Sequence, residues 1–159
     1  MGGVDIENFT GLILDELLTS NLSHDINITV LMGRDSPHLC SIESKASKST
    51  YNISVKVDVE NMAEIMTDAD VAIGAAGATT WERCCLGLPT IQIIVARNQQ
   101  FLAETLARQG IVKLIKKIEE IPYLLNTSSE WMEDCSSLAA SICDGMGSRR
   151  VFKKISDKK

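Results

Sequence analysis

Five short apolar runs, at residues 26–32, 51–57, 71–75, 90–95 and 111–115, are separated by stretches whose apolar residues recur at helical spacing. Few folds satisfy that alternation. Short runs rich in Ile and Val read as strands, and helices between them make each strand–helix–strand step a parallel crossover. Runs that are apolar on both faces suit a parallel sheet covered by helices on both sides. The expected class is therefore α/β, with a Rossmann-like parallel sheet and helices on both faces. The run at 111–115 reads as a short edge strand. Helices are expected at 6–19, 62–66, 79–86, 99–109, 128–143 and 148–155. Gly87, Pro89 and Gly110 supply stop signals.

The composition agrees. The chain has 159 residues, the size of one domain, and is 45% hydrophobic but only 4% aromatic, so the core must be aliphatic. The formal net charge of −5 leaves no overall basic field for nucleic acid. The end of the chain is locally basic, with Arg149, Arg150, Lys153, Lys154, Lys158 and Lys159, and reads as a solvated helix end. No apolar run approaches the roughly 18 residues that span a bilayer, so no membrane insertion is expected. Asp5 and Glu7 interrupt the opening, which does not read as a secretory signal. The five cysteines, Cys40, Cys84, Cys85, Cys135 and Cys143, form no CxxC pair. They read as reduced thiols filling small core spaces, which points to a cytoplasmic chain without zinc.

The opening Met1-Gly2-Gly3-Val4-Asp5 has the character of a strand-to-helix turn, yet no strand precedes it. The expectation is a fragment cut just after a strand, with the vacant place filled within a larger parent or by a partner chain. Asp5 reads as a helix cap.

Chemistry concentrates at residues 74–89. There an apolar strand runs into Gly74-Ala75-Ala76-Gly77-Ala78, and Thr79-Thr80-Trp81-Glu82 opens a helix. Small residues let a ligand approach the backbone closely. A helix start offers unpaired N–H groups and the positive end of a dipole, which suits a phosphate. Thr79 and Thr80 can add hydroxyl donors, and Glu82 can accept from ribose hydroxyls. A plainer reading stands beside this one: Thr79 as N-cap and Glu82 closing a capping box. The run matches neither G-x-x-x-x-G-K-[ST] nor G-x-G-x-x-G, so neither hydrolysis by a P-loop nor a dinucleotide cofactor is indicated.

A second loop, Ala96-Arg97-Asn98-Gln99-Gln100, follows the strand at 90–95 and so belongs at the same end of the sheet, where α/β folds bind ligands. Its amides suit sugar hydroxyls; alternatively Asn98 simply caps the next helix. Neither His24 nor His38 lies in a catalytic constellation, so the chain displays a binding site without an evident general base.

Together, the strand leading into Gly74-Ala75-Ala76-Gly77-Ala78-Thr79-Thr80-Trp81-Glu82-Arg83, the stop Leu86-Gly87-Leu88-Pro89 and the later Asn98-Gln99 resemble the C-terminal domain of GT-B-fold nucleotide-sugar proteins. The opening Gly2-Gly3-x-Asp5 and the run Ala96-x-Asn98-Gln99 look most like the family of UDP-2,4-diacetamido-2,4,6-trideoxy-β-L-altropyranose hydrolases of pseudaminic acid biosynthesis. The chain is more distantly similar to the peptidoglycan GlcNAc transferases. The resemblance covers nearly the whole chain, as the second of two domains. It implies that residues 1–159 form one UDP-binding domain, with Gly77, Ala78, Thr79 and Thr80 around the diphosphate and Gly3 approaching from the first turn. Glu82 would bind the ribose, Val59 the uracil, and Asn98 and Gln99 the sugar. No cofactor is expected, and with no metal-ligand cluster in the sequence the expected mechanism is metal-free. The catalytic base is expected in an absent N-terminal domain, so this chain alone is expected to be inactive. The parent reaction would be attack of water on the anomeric carbon, releasing UDP. Two alternatives stay open: the corresponding half of a glycosyltransferase, and a non-catalytic UDP-binding module that needs a partner chain.

Overall fold

The computed structural model describes residues 4–23 and 25–157. Met1, Gly2, Gly3, His24, Lys158 and Lys159 lie outside them, and with them the expectation for Gly3. In chain order the elements are α1 (Phe9–Thr19), β1 (Asn27–Met32), α2 (Leu39–Lys48), β2 (Asn52–Val57), α3 (Met62–Thr67), β3 (Ala72–Ala75), α4 (Thr79–Cys85), β4 (Thr90–Ile93), a 3-10 turn (Arg97–Gln99), α5 (Gln100–Arg108), β5 (Lys113–Leu114), α6 (Glu120–Asn126), α7 (Glu130–Ile142) and α8 (Gly147–Ser156).

Every strand pairing is parallel. β1 pairs with β2 from Asn27↔Asn52 to Met32↔Val57. β3 pairs with β4 from Ala72↔Thr90 to Ala75↔Ile93, and β4 pairs with β5 at Ile91↔Lys113 and Gln92↔Leu114. Among the described residues these are two hydrogen-bonded groups, β1-β2 and β3-β4-β5, so only β4 is paired on both edges.

One core nevertheless joins the groups. Ile28, Ile53, Ile73, Ile91 and Ile93 pack with Ile13 and Leu17 of α1 and Ile121 of α6. A second cluster gathers Cys84 of α4, Leu106 of α5, Ile111 and Val112 just before β5, and Ala139 of α7. A third seats Leu14 and Ile42 of α1 and α2 on Val30 and Met32 of β1. All four residues of β4 are buried. Because side chains alternate along a strand, Ile91 and Ile93 enter the first cluster, while Thr90 and Gln92 face the other way, and Gln92 meets α4.

The expected helix at 62–66 is α3, and the one at 79–86 is α4. Two helices were not expected from the sequence, α2 and α6; α2 buries only Ile42 and α6 only Ile121 and Pro122, too few positions to show a period. The first helix starts at Phe9 instead of residue 6, because Asp5 (φ 43°) and Asn8 (φ 57°) adopt left-handed backbone that breaks a helix. Asp5 caps it from a distance: its carboxylate accepts from the N–H of Phe9 at 3.1 Å and of Thr10 at 2.8 Å. Cys84 and Cys135 are core filler as expected, whereas Cys40 and Cys85 are exposed.

Candidate functional site

The turn between β3 and α4 is short because its residues are small. Ala76 N–H donates to Ile93 O at 3.2 Å, which carries the β3–β4 ladder one residue past the strand. The chain then turns at Gly77 and Ala78 into α4. Thr80 N–H donates to Gly77 O at 3.0 Å and Trp81 N–H to Ala78 O at 3.1 Å. The N–H groups of Gly77, Ala78 and Thr79 have no acceptor among the described residues. Three consecutive unpaired donors at a helix start are an anion-binding arrangement.

The plainer reading of this turn does not form. The N-cap position is Ala78, Thr79 is the first helical residue, and no side chain caps the helix. Glu82 is exposed at the mouth and enters no ion pair among the described residues.

One expectation needs correction. The Thr80 hydroxyl does not face the mouth. Thr80 is 1% exposed, and its Oγ1 accepts from Gln92 Nε2 at 2.8 Å and from Arg83 Nη2 at 3.3 Å. Position 80 lies on the inner side of α4, one residue past the exposed turn, so its hydroxyl serves the interior.

The second loop comes to the same place. Gln99 Oε1 accepts from Val95 N–H at 3.2 Å, and Gln99 Nε2 lies 3.8 Å from where a Cβ on Gly77 would stand. Gln99 thus lies across Gly77, while Asn98 is exposed beside it. Gln99, not Asn98, is the N-cap residue of α5, and no side chain caps that helix either. Val95 in turn lines a cleft of about 220 Å³ with Val4, Asp5, Ile6, Glu7 and Phe9. The segment before α1, the end of β4 and the Gly77 turn therefore meet at one end of the sheet.

Val59 lies at the same end of β2, but no hydrogen bond joins it to the Gly77 turn. Arg34 and Asp58 tie the ends of β1 and β2, with Arg34 N–H donating to Asp58 Oδ1 at 2.9 Å and Nε–Oδ2 at 3.1 Å. His38 holds the segment before α1 through Nε2 and Ile6 O at 3.0 Å. A larger hollow of about 460 Å³ opens at the opposite, amino ends of β3 and β4, between Asp70, Pro89, Met132 and Ser136. It faces away from the unpaired donors. Among the described residues no group of three or more His, Cys, Asp or Glu side chains could hold a metal.

Two functional candidates had no signal in the sequence. Arg83 and Gln92 are polar residues within helix and strand, and only the tertiary structure buries them beneath the turn, at 6% and 0% exposure. Burial lowers the Arg83 pKa, partly offset by Cys84 and Glu82.

The parallel α/β fold is that of a GT-B C-terminal domain, with the unpaired donors at the carboxyl end of its strands. The chain is a member of the glycosyltransferase family 28 C-terminal domain, whose model matches residues 1–140. It is 36% identical over 93 residues to an uncharacterized protein of Methanocaldococcus jannaschii, covering 57% of this chain and 19% of that one. It is 31% identical over 86 residues to the spore coat polysaccharide biosynthesis protein SpsG of Bacillus subtilis, covering 54% and 25%. Over 110 residues it is 29% identical to the UDP-2,4-diacetamido-2,4,6-trideoxy-β-L-altropyranose hydrolase of Campylobacter jejuni, covering 69% and 38%. The crystal structure of Acinetobacter baumannii MurG superposes with a TM-score of 0.75 at 17% identity, over 98% of this chain and 48% of that one. The chain thus spans less than half the length of each of these proteins.

Proposed function

We propose that this chain is the UDP-holding half of a two-domain nucleotide-sugar enzyme, and that the parent hydrolyses a UDP-sugar to UDP and free sugar. The observation that carries the reading is the row of unpaired N–H groups at Gly77, Ala78 and Thr79, with Glu82 exposed one turn further on. The donors suit a diphosphate, and the carboxylate suits ribose hydroxyls. Thr80 contributes by position, through its interior hydrogen bonds. Gln99 lies beside Gly77, so Asn98 and Gln99 are the candidates for the sugar, and Val59 is the candidate for the base. In such a reaction the turn would stabilise charge developing on the leaving diphosphate, and the base that activates water would come from the other domain.

Hydrolysis is supported by the likeness to the Campylobacter hydrolase. The family model and the MurG likeness support a second reading, in which a sugar acceptor replaces water. The two-domain part is supported by length, since the chain covers only 19%, 25%, 38% and 48% of the four proteins it matches.

Titration with UDP, followed by UMP and ADP, tests the site. Amide shifts at residues 77–82 are expected, and Glu82→Ala is expected to weaken binding by about 1.5–3 kcal/mol. Unchanged amides in that segment would sink the assignment. For the complete parent, free sugar formed from a UDP-sugar without acceptor separates hydrolysis from transfer.

A further inference from the structure

Arg83 is a buried cation whose company is incomplete. Its side chain is tucked under the β3–α4 turn, with Nη1 against Gly74 in the space a Cβ would need. Nη2 donates to Ala75 O at 2.9 Å and to Thr80 Oγ1 at 3.3 Å, and buried Nε has no partner. Among the described residues the ion pairs are Arg34–Asp58, Lys45–Asp15 and Arg150–Asp144, and none of them neutralises Arg83. Glu82 offsets its charge only from beyond ion-pair distance, and a buried charge without a close counter-charge is costly.

The geometry points to Arg83 as a positioning residue for the diphosphate: it holds the Ala75 carbonyl inward, so that the following N–H groups of Gly77, Ala78 and Thr79 turn outward, and its charge faces the bound anion through the turn. This rests on the nucleotide reading above. The two observations behind it are independent of each other. The turn carries three unpaired donors, and directly beneath it lies a guanidinium whose Nε is unpartnered and which has no carboxylate at ion-pair distance, Glu82 acting on it only from farther away. A peptide turn is thin, and a charge buried beneath it acts across it with less screening than in water. Gln92 completes the bracket: its Nε2 donates to Thr80 Oγ1 at 2.8 Å, so Thr80 accepts from both sides and fixes where Arg83 can reach. Arg83 touches the turn and not the ligand, so its effect must scale with the charge on the ligand.

The test compares UDP with uridine, which shares the base and ribose but carries no phosphate. Affinities are measured by calorimetry for the wild-type chain, Arg83→Met and Arg83→Lys, with thermal unfolding of each. Arg83→Met is expected to weaken UDP at least tenfold and uridine less than twofold. Arg83→Lys, which keeps the charge but loses the fork, is expected to recover part of the UDP loss. If Arg83→Met does not fold, the Lys variant still reports, by a UDP-to-uridine ratio below that of the wild type. Equal losses for UDP and uridine, or UDP affinity unchanged in both variants, overturn the inference and leave the nucleotide reading intact. A wild-type chain that binds neither ligand overturns both.

Discussion

Arg83 Nη2 donates to the carbonyl of Ala75 at 2.9 Å, joining the middle of α4 to the end of β3 beneath the turn that connects them. The turn is therefore braced from inside, and Gly74 in β3 and Gly77 in the turn have different duties.

Gly74 and Gly77 should respond oppositely to the same substitution. A Cβ on Gly74 would displace the buried Arg83 guanidinium, so Gly74→Ala should destabilise the fold by about 1–3 kcal/mol. A Cβ on Gly77 meets only Gln99 Nε2 at 3.8 Å, an ordinary contact. Gly77→Ala should keep the wild-type unfolding midpoint but weaken UDP, because the methyl stands where the ligand approaches the backbone. Urea unfolding with UDP titration of both variants measures the contrast, and equal stability losses would contradict it.

Thr80→Val keeps the shape of the side chain and removes its acceptor. Gln92 Nε2 and Arg83 Nη2 would then lose a buried partner, at a cost of about 1–3 kcal/mol. Thr80→Ser should retain most of the stability. Chemical denaturation checks both, and a Val variant as stable as the wild type would show that the hydroxyl bonds contribute little.

Asp5→Ala should destabilise α1 by about 0.5–2 kcal/mol, since two N–H groups of its first turn lose their acceptor. Asp5→Asn should cost less, because Asn still accepts a hydrogen bond and tolerates the left-handed backbone at φ 43°. Amide exchange at Phe9 and Thr10 reports the effect directly.

The start of α8 should loosen in acid. Asp144 is held down to about 2 from 3.8, first by the hydrogen bond from Arg150 and then by the N–H of Met146. A depressed carboxylate contributes stability that is complete above its unfolded value and is lost as pH falls through the folded one. Helical carbon shifts at residues 147–156 should therefore hold steady above pH 4 and decline between pH 4 and 2. Asp144→Asn should abolish that step.

Much of the fold was legible because it depends on near neighbours in the chain. The apolar runs became β1 to β5: β4 is buried on both faces, while β2 alternates apolar Ile53, Val55 and Val57 with exposed Asn52, Ser54 and Lys56. The Gly77 turn was legible for the same reason: a run of small residues between strand and helix says where backbone can meet a ligand. α2 and α6 were not legible, because each buries too few residues to show a period. The capping box was legible and does not form; the spacing of Thr79 and Glu82 permits it, but Ala78 takes the cap position.

By itself, the sequence determined the parallel α/β class, the place of the small-residue turn and the exposed acid Glu82. Those follow from residue size, period and local backbone freedom. Only the tertiary structure decided which way Thr80 faces, that Gln99 lies across Gly77, and that Arg83 and Gln92 are buried under the turn. Each of those depends on elements distant in sequence packing against one another. A lone Arg in a helix or Gln in a strand carries no local sign of whether it will meet water or the underside of a binding turn.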